Sequence, residues 1–200
     1  MTRKVLETDT HIYFLNGPFS NWHPMTFHGK LVKDGPMLRF NKREQYMMAA
    51  KAYLFGDQER LNAIMATSDA SKQKELGRGV GGFTKETWDR DAAPIWNEHA
   101  KDIVFRACWY SAVYDEEYRN CLLNSGDKIL VEGSIQDRVW GVGVAWDDPA
   151  ILDSNNWLGT NWLGESHMEA RPHVQRARLN AMKFFGTETF NPWTKTWTIE

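Results

Sequence analysis

The feature that most constrains the fold is a change of hydrophobic period near residue 41. Before it, short apolar runs alternate with turn signals, which predicts strands over residues 11–15, 25–32 and 37–40. From residue 41 to residue 55, apolar and aromatic side chains instead recur every three or four positions. Short strands followed by a long helical region indicate an α+β fold that is predominantly helical.

The helical region begins with three predicted helices. Residues 41–55 form the first, with Asn41 as its cap, Glu44 three positions on as in a capping box, and Gly56 at its end. Residues 58–66 form the second, and residues 68–76 form the third, which Gly77 is expected to stop. The first two carry their apolar residues at helical spacing, so each is expected to pack against a core.

The second half of the chain is predicted to be a long helix, a strand and a last helix. The long helix covers residues 85–118, is interrupted at Pro94, and places Cys108 on a buried face. Residues 128–132 form the strand, and residues 161–171 form the last helix, limited by Pro172. Residues 136–146 are expected to be a loop or short strand, residues 147–154 an exposed insertion, and the aromatic tail from residue 183 a docked extension.

Length and charge indicate a single compact domain. The chain has 200 residues and a net charge of −2, a size at which a core forms without disulfides or metal. The nearly balanced charge does not demand a nucleic-acid partner. No apolar run approaches the ~18 residues of a membrane span, so a membrane partner is not demanded either. The two cysteines favour free thiols in a reducing compartment, and hence a cytoplasmic protein. The six histidines have no zinc-binding spacing, so neither a metal nor a cofactor is expected.

A glycine-rich stretch follows the third predicted helix. Residues 77–82 match the dinucleotide-binding pattern G-x-G-x-x-G, but that motif requires a strand before it, and here a helix comes first. A dinucleotide-binding fold is therefore rejected. Two interpretations remain open: a turn that holds a phosphate through backbone N–H groups and Arg78, or a plain turn that ends the helix.

Three ionisable residues are candidates for catalysis, each with a structural alternative. Glu44 lies in the first turn of an aromatic-rich helix, where it is either an acid or a cap. Lys51 has small and apolar neighbours, so it is either a buried amine with a lowered pKa or a surface lysine whose stem lies along apolar residues. Asp137 lies between a strand and tryptophans, where it is either an acid or a turn residue paired with Arg138.

A series of short segments occurs in a definite order along the chain. They are Phe-Ser-Asn-Trp at 19–22, Glu-Gln-Tyr at 44–46 with Lys51, Leu-Gly-Arg at 76–78, Trp88, residues 122–127 and 130–132, Asp137 with Trp-Gly at 140–141, Gly-Thr-Asn-Trp-Leu-Gly at 159–164, Met168 and Arg171. In this order, these segments resemble the YbiA-like, or NADAR, family. The resemblance spans about residues 19–171 and departs from the family at Arg43, where a small residue is common, and at residues 142–158, which form a longer segment.

The resemblance implies a YbiA-like domain over residues 1–172, with residues 173–200 as an extension, and an N-glycosidase activity. The substrate class that it implies is a small ribosyl phosphate or ADP-ribosylated compound, such as a riboflavin-pathway intermediate or ADP-ribosyl-guanine. In that activity Glu44, Lys51 and Asp137 are the catalytic residues, and we expect the carboxyls of Glu44 and Asp137 to converge on one pocket. The residues expected to bind substrate are Ser20, Asn21, Arg78, Trp88, Trp140, Gly141 and Asn161.

Two other functions remain open at this point. A non-catalytic sensor of NAD-derived ADP-ribose ligands needs the same binding residues and no turnover. An enzyme that acts on ADP-ribosylated nucleic acid needs, in addition, a basic rim beside the pocket. The nearly neutral charge argues mildly against long duplex contacts, since those depend on clustered lysine and arginine.

Overall fold

The computed structural model describes residues 3–185, with side chains up to residue 180. The described chain forms two compact units: one comprises the residues up to Ser20 and from Ser111 onward, the other comprises Asn21 to Tyr110. The strands are β1 (Val5–Glu7), β2 (His11–Phe14), β3 (Phe27–Gly29), β4 (Leu38–Phe40) and β5 (Ile129–Glu132). The helices are α1 (Arg43–Leu54), α2 (Gln58–Ala66), α3 (Ala70–Arg78), α4 (Lys85–Thr87), α5 (Ala93–Tyr114), α6 (Glu116–Asn124) and α7 (Trp162–Phe185).

The first unit is built on a three-stranded sheet in the order β1-β2-β5. Strand β1 is antiparallel to β2, and β5 runs parallel to β2 with His11 opposite Ile129. One face of this sheet packs against residues that follow β5, and Trp157 lies at the margin of that core. The core cluster is formed by Tyr13, Val131, Val142, Val144 and Ile151.

The second unit is mostly helical, with β3 and β4 forming a separate antiparallel pair. The predicted strand over residues 25–32 is therefore shorter than expected, because its partner β4 offers three residues for pairing. Helices α2 and α3 both pack on α1, which is buried from Arg43 to Ala52. The predicted α+β, helix-dominated fold is confirmed, and α2 has the predicted bounds.

The start of α1 differs from the predicted capping box. The capping residue is Lys42, in an extended conformation and without a side-chain cap, rather than Asn41. It is the side chain of Gln45, not that of Glu44, that reaches back and accepts a hydrogen bond from the backbone N–H of Asn41 (2.8 Å). Gln45 therefore makes the capping-box contact that the pattern predicted for Glu44.

Glycine 77 does not stop α3, as the sequence had suggested. The helix passes through it to Arg78, and Asp69 caps its start through the N–H of Lys72. A Cβ atom at Gly77 would collide with the side chain of Met48, so the glycine permits close approach of α3 to α1. Because the helix continues, the glycine-rich turn begins two residues later than predicted.

The long predicted helix over residues 85–118 is divided. A π-helical turn, Trp88–Ala92, precedes Pro94, and Asp115 ends the continuous helix by capping α6 through the N–H of Tyr118 (2.7 Å). The predicted buried face of α5 is nevertheless confirmed. Its members are Trp96, Ala100, Ile103, Val104, Ala107, Cys108 and Ser111.

Of two predictions near the end of the chain, one is wrong and the other is confirmed with one exception. Helix α7 runs through Pro172, because a single lost N–H bond is outweighed by buried contacts on both sides of it, including those of Val174. The predicted exposure of residues 147–154 is confirmed at every position except Ile151, which is fully buried in the core. The predicted docking of the tail from residue 183 lies outside the residues whose side chains are described. No helix in the described part of the chain has the length and hydropathy of a membrane span.

Candidate active site

Helix α1 carries three charged side chains that the protein almost completely encloses, and two of them, Glu44 and Lys51, are candidates for catalysis. Glu44 is 3% exposed and Lys51 is 8% exposed. They lie seven residues apart, or about 10 Å along a helix. Burial of an ionised group without strong compensation costs several kcal/mol in order of magnitude. Such groups are therefore candidates for a chemical rather than a structural role.

The amine of Lys51 lies against two indoles. Its Nζ is 3.9 Å from the ring centroid of Trp88 and 5.4 Å from that of Trp96. Both distances fall within the range of about 6 Å over which a cation is attracted to an aromatic face. The sequence identified Trp88 as a site residue but placed Trp96 only on the core face of its helix.

Burial lowers the pKa of Lys51 to about 8. Desolvation is the largest cause, the positive charge of Arg78 adds to it, and the carboxylate of Glu44 opposes it. At pH 7.5 about a quarter of an amine with that pKa is neutral, against about 0.1% of an ordinary lysine. Of the two interpretations left open for Lys51, the buried amine is confirmed and the surface lysine is wrong.

Trp88 is held from two sides by phenylalanines. Its ring makes edge contacts with Phe55 (5.7 Å between centroids) and Phe83 (6.0 Å), and those two rings contact each other at 5.6 Å. Phe55 directly follows α1 and lies one turn beyond Lys51, to whose carbonyl its N–H is bonded. The π-helical turn that begins at Trp88 is a type of irregularity found frequently at functional sites.

The glycine-rich turn after α3 uses its amides internally. The N–H of Gly81 donates to Asp57 Oδ2 (2.8 Å), and the N–H groups of Gly79 and Gly82 donate to backbone carbonyls. This pattern favours the plain turn over a backbone cradle for phosphate. The Arg78 side chain is exposed, and its charge acts on Lys51.

The loop that contains Ser20 and Asn21 is buried. The backbone carbonyl of Asn21 accepts a hydrogen bond from the N–H of Glu44 (2.9 Å), which ties this loop to the start of α1. The side-chain Oδ1 of Asn21 is buried and accepts no hydrogen bond from any residue that the structure describes. Ser20 belongs to the other unit, where its N–H donates to the carbonyl of Gly17.

In the first unit, Asp137 organises the turn that follows β5. Its Oδ1 accepts hydrogen bonds from the N–H groups of Val139 (3.1 Å) and Trp140 (2.8 Å). The ring of Trp140 makes an edge contact with Trp162 at 5.8 Å. Gly141 packs so closely that a Cβ would approach the carbonyl of Glu132 to 2.9 Å. Asp137 therefore organises a turn, as one of the two interpretations of the sequence expected, while its pairing with Arg138 stays a prediction.

Asn161 anchors β5 from the start of α7. Its Oδ1 accepts from the N–H of Glu132 (3.0 Å), and its Nδ2 donates to the carbonyl of Leu130 (2.9 Å). Its backbone lies in the left-handed region, with φ at 57°. The side-chain amide is thus committed to the fold, and a part for Asn161 in binding substrate remains a prediction.

The predicted site residues divide between the two units. The second unit brings Lys51 together with Trp88, within the electrostatic influence of Glu44 and Arg78. The first unit contains Ser20, Asp137, Trp140, Gly141 and Asn161. Convergence of the carboxyls of Glu44 and Asp137 remains a prediction. No group of three or more His, Cys, Asp or Glu side chains in the described part of the chain is arranged to hold a metal ion.

Comparison with known proteins gives a family and a fold. The sequence model of the NADAR domain matches residues 13–175. Protein irg-1 of Caenorhabditis elegans is 36% identical over 155 residues, which are 74% of this chain and 70% of that protein. N-glycosidase R617 of Acanthamoeba polyphaga mimivirus is 32% identical over 179 residues, which are 86% of this chain and 100% of the relative.

A solved structure is similar as well. The NMR structure of the E. coli protein YbiA superposes with a TM-score of 0.62 and covers 88% of this chain and 91% of its own. The two sequences are 23% identical, so this likeness supports the fold alone.

Proposed function

This chain belongs to the NADAR domain family, and we propose that it hydrolyses the C1–N bond between a ribose phosphate or ADP-ribose and a nitrogen base. An N-glycosidase among its relatives supports hydrolysis of an N-glycosyl bond as the reaction. The observation that carries the proposal is the buried amine of Lys51, whose pKa of about 8 makes it reactive near neutral pH.

Cleavage of a ribosyl C1–N bond builds positive charge at C1 and on the ring oxygen, as in glycoside hydrolysis. A buried carboxylate beside C1 stabilises that charge better than water does, because the surroundings are of low dielectric constant. Glu44 is assigned this role, since it is enclosed and acts electrostatically on Lys51.

Lys51 is assigned the nucleophile. Its neutral Nζ attacks C1, the bond from C1 to the base breaks, and the leaving nitrogen takes a proton. Opening of the sugar ring between C1 and its ring oxygen then gives an imine with Nζ. Water adds to that imine, and the C1–Nζ bond breaks to release the sugar aldehyde and the amine. If Nζ stays protonated instead, Lys51 binds substrate phosphate and water attacks directly.

The remaining roles are assigned by chemistry. Asp137 protonates the leaving nitrogen or activates water through its carboxyl group. Ser20, Asn21 and Arg78 bind hydroxyls and phosphates. Trp140, Gly141 and Asn161 are assigned to binding of the substrate.

The proposal is tested by incubation with NAD, ADP-ribosyl-guanosine and a ribosylamino-pyrimidine phosphate, with products identified by mass spectrometry. An ADP-ribosylated oligonucleotide is included as a fourth substrate. The wild type is expected to release a free base from at least one of them. Glu44→Gln and Asp137→Asn are each expected to lower turnover by about 100-fold or more, because each removes an ionisable oxygen.

Glu59→Gln is the matched control, since Glu59 is an exposed acid on α2. It is expected to retain wild-type turnover. Wild-type rates in both Glu44→Gln and Asp137→Asn would refute the assignment. Tight binding by calorimetry, with no product from any of the four compounds, would favour a sensor of ADP-ribose ligands instead.

A further inference from the structure

The second unit places two indoles around one amine, and only one of the two was expected at the site. Trp88 comes from the π-helical turn before α5, and Trp96 comes from the first turns of α5 itself. Both rings lie within about 6 Å of Nζ of Lys51, at 3.9 Å and 5.4 Å. Two consecutive elements thus bring their indoles to the same amine.

We propose that Trp88 and Trp96 form an indole clamp that holds the side-chain amine of Lys51, so that both act on the lysine rather than on the substrate. The face of Trp88 that lies 3.9 Å from Nζ is occupied by the amine, and a nucleobase cannot stack on that same face. Trp96 is buried, with 9% of its surface exposed, and so offers little area to a ligand. In the terms of the proposed function, on which this inference rests for its chemical meaning, both tryptophans are positioning residues.

The supporting contacts fix the clamp from behind. Phe55 and Phe83 hold Trp88 by edge contacts, and Phe55 is itself bonded through its N–H to the carbonyl of Lys51. The turn that contains Trp88 and the end of α1 therefore form one packed group. This arrangement restricts the rotamers of a side chain that otherwise has four rotatable bonds.

The clamp also acts on the charge of the amine. Desolvation favours the neutral amine, while the negative faces of two indoles favour the ammonium. The charged groups that act on Lys51 are Glu44 on α1, which favours the ammonium, and Arg78 on α3, which disfavours it. The indoles and Glu44 together keep the amine from losing its proton at still lower pH.

The test uses fluorine NMR of the full-length protein labelled with 5-fluorotryptophan. The resonances of Trp88 and Trp96 are assigned by their loss in Trp88→Phe and Trp96→Phe. Both resonances are expected to titrate with one shared midpoint, near the pKa of about 8 of Lys51. The titration is expected to disappear in Lys51→Met, because the charge that shifts both signals is then absent.

Lys74→Met is the matched control. Nζ of Lys74 lies 5.8 Å from the ring of a different tryptophan, Trp22. This variant is expected to change the Trp22 resonance and to leave the shared titration of the other two intact. A second measurement on unlabelled protein uses the Hε protons of Lys51, which ring currents should shift upfield relative to those of other lysines.

Flat Trp88 and Trp96 resonances, or a titration that persists in Lys51→Met, would overturn the clamp. Hε protons of Lys51 that resonate with those of other lysines would also overturn the clamp. Loss of the clamp signals in a protein that still cleaves a ribosyl substrate refutes this inference alone. An intact titration in a protein that cleaves none of the four compounds refutes the proposed function alone.

Discussion

Two buried polar sites, one in each unit, accommodate their side chains in different ways. In the first unit, His167 is fully buried and accepts a hydrogen bond at Nδ1 from the hydroxyl of Tyr118 (2.8 Å), while its Nε2 donates to the carbonyl of Phe19 (2.7 Å). Arg171 similarly donates to Ser125 Oγ and to the carbonyl of Lys128. Each polar atom in these contacts has a geometrically suitable partner.

The neighbourhood of Lys51 in the second unit is different. Its amine is surrounded by indole faces, and its burial is severe enough to lower the pKa to about 8. Hydrogen-bonded burial stabilises a fold by about 1 kcal/mol per bond, whereas burial of a charge without full compensation destabilises it. Buried polarity at His167 and Arg171 therefore serves the structure, and we propose that α1 retains the buried charge of Lys51 for chemistry.

The largest expected loss of stability comes from Asn161→Ala. The change leaves the N–H of Glu132 and the carbonyl of Leu130 without their side-chain partner and puts alanine at a positive φ. The free energy of unfolding is expected to fall by about 3 kcal/mol or more in urea denaturation. Asn155→Ala, at an exposed position, is the control with an expected change of about 0.5 kcal/mol or less. Equal effects of the two variants would remove the structural role from Asn161.

The second largest effect is a gain in stability, and it is expected for Lys51→Met. Lys51→Met removes a buried charge, so it is expected to raise the free energy of unfolding by about 2 kcal/mol at pH 7. Because the folded pKa is about 8 and the unfolded value is near the ordinary 10.5, the folded wild type loses its proton first as pH rises. The wild type therefore gains stability between those values, and the advantage of Lys51→Met should vanish above pH ~10.5.

Urea denaturation at a series of pH values measures whether the free energies of unfolding of the wild type and Lys51→Met converge above pH ~10.5. Lys72→Met is the control, since Lys72 is exposed and paired with Glu75 on the surface. It is expected to change stability by less than about 1 kcal/mol at any pH in the series. A Lys51→Met protein less stable than the wild type at pH 7 would mean that the fold needs the amine, contrary to the contrast between the units.

The smallest effect is expected for Tyr118→Phe. The variant keeps the ring and its contacts but leaves Nδ1 of the buried His167 without its donor. A loss of about 1 kcal/mol in the free energy of unfolding is expected. Tyr53→Phe, on an exposed tyrosine, serves as the control and should be neutral. A neutral Tyr118→Phe would show that the hydroxyl contributes nothing to the stability of the first unit.

Local patterns were sufficient for much of the fold. Periodicity predicted α2 at its observed bounds and the buried face of α5, because both depend on spacing within one helix. The same reasoning failed at Gly77 and Pro172, which usually end helices. Packing of Gly77 against Met48, and burial of α7 on both sides of Pro172, override the local preference. Such contacts between distant residues leave no periodic signal.

The site was predictable in its residue types but not in its environment. Small neighbours suggested that Lys51 is buried, yet nothing in the spacing places the indole of Trp96 beside its amine. The capping pattern at Glu44 was misleading, because Gln45 fulfils that role one position later. Asn161 was expected to bind substrate, and only the structure reveals that both polar atoms of its side chain hold β5.

Turnover of Lys51→Met, on whichever ribosyl substrate the wild type cleaves, tests the central claim most directly. The account predicts a fall of about 100-fold or more in a protein that is folded and more stable at pH 7 than the wild type. Wild-type turnover in that variant would contradict the claim that α1 keeps its buried amine for chemistry.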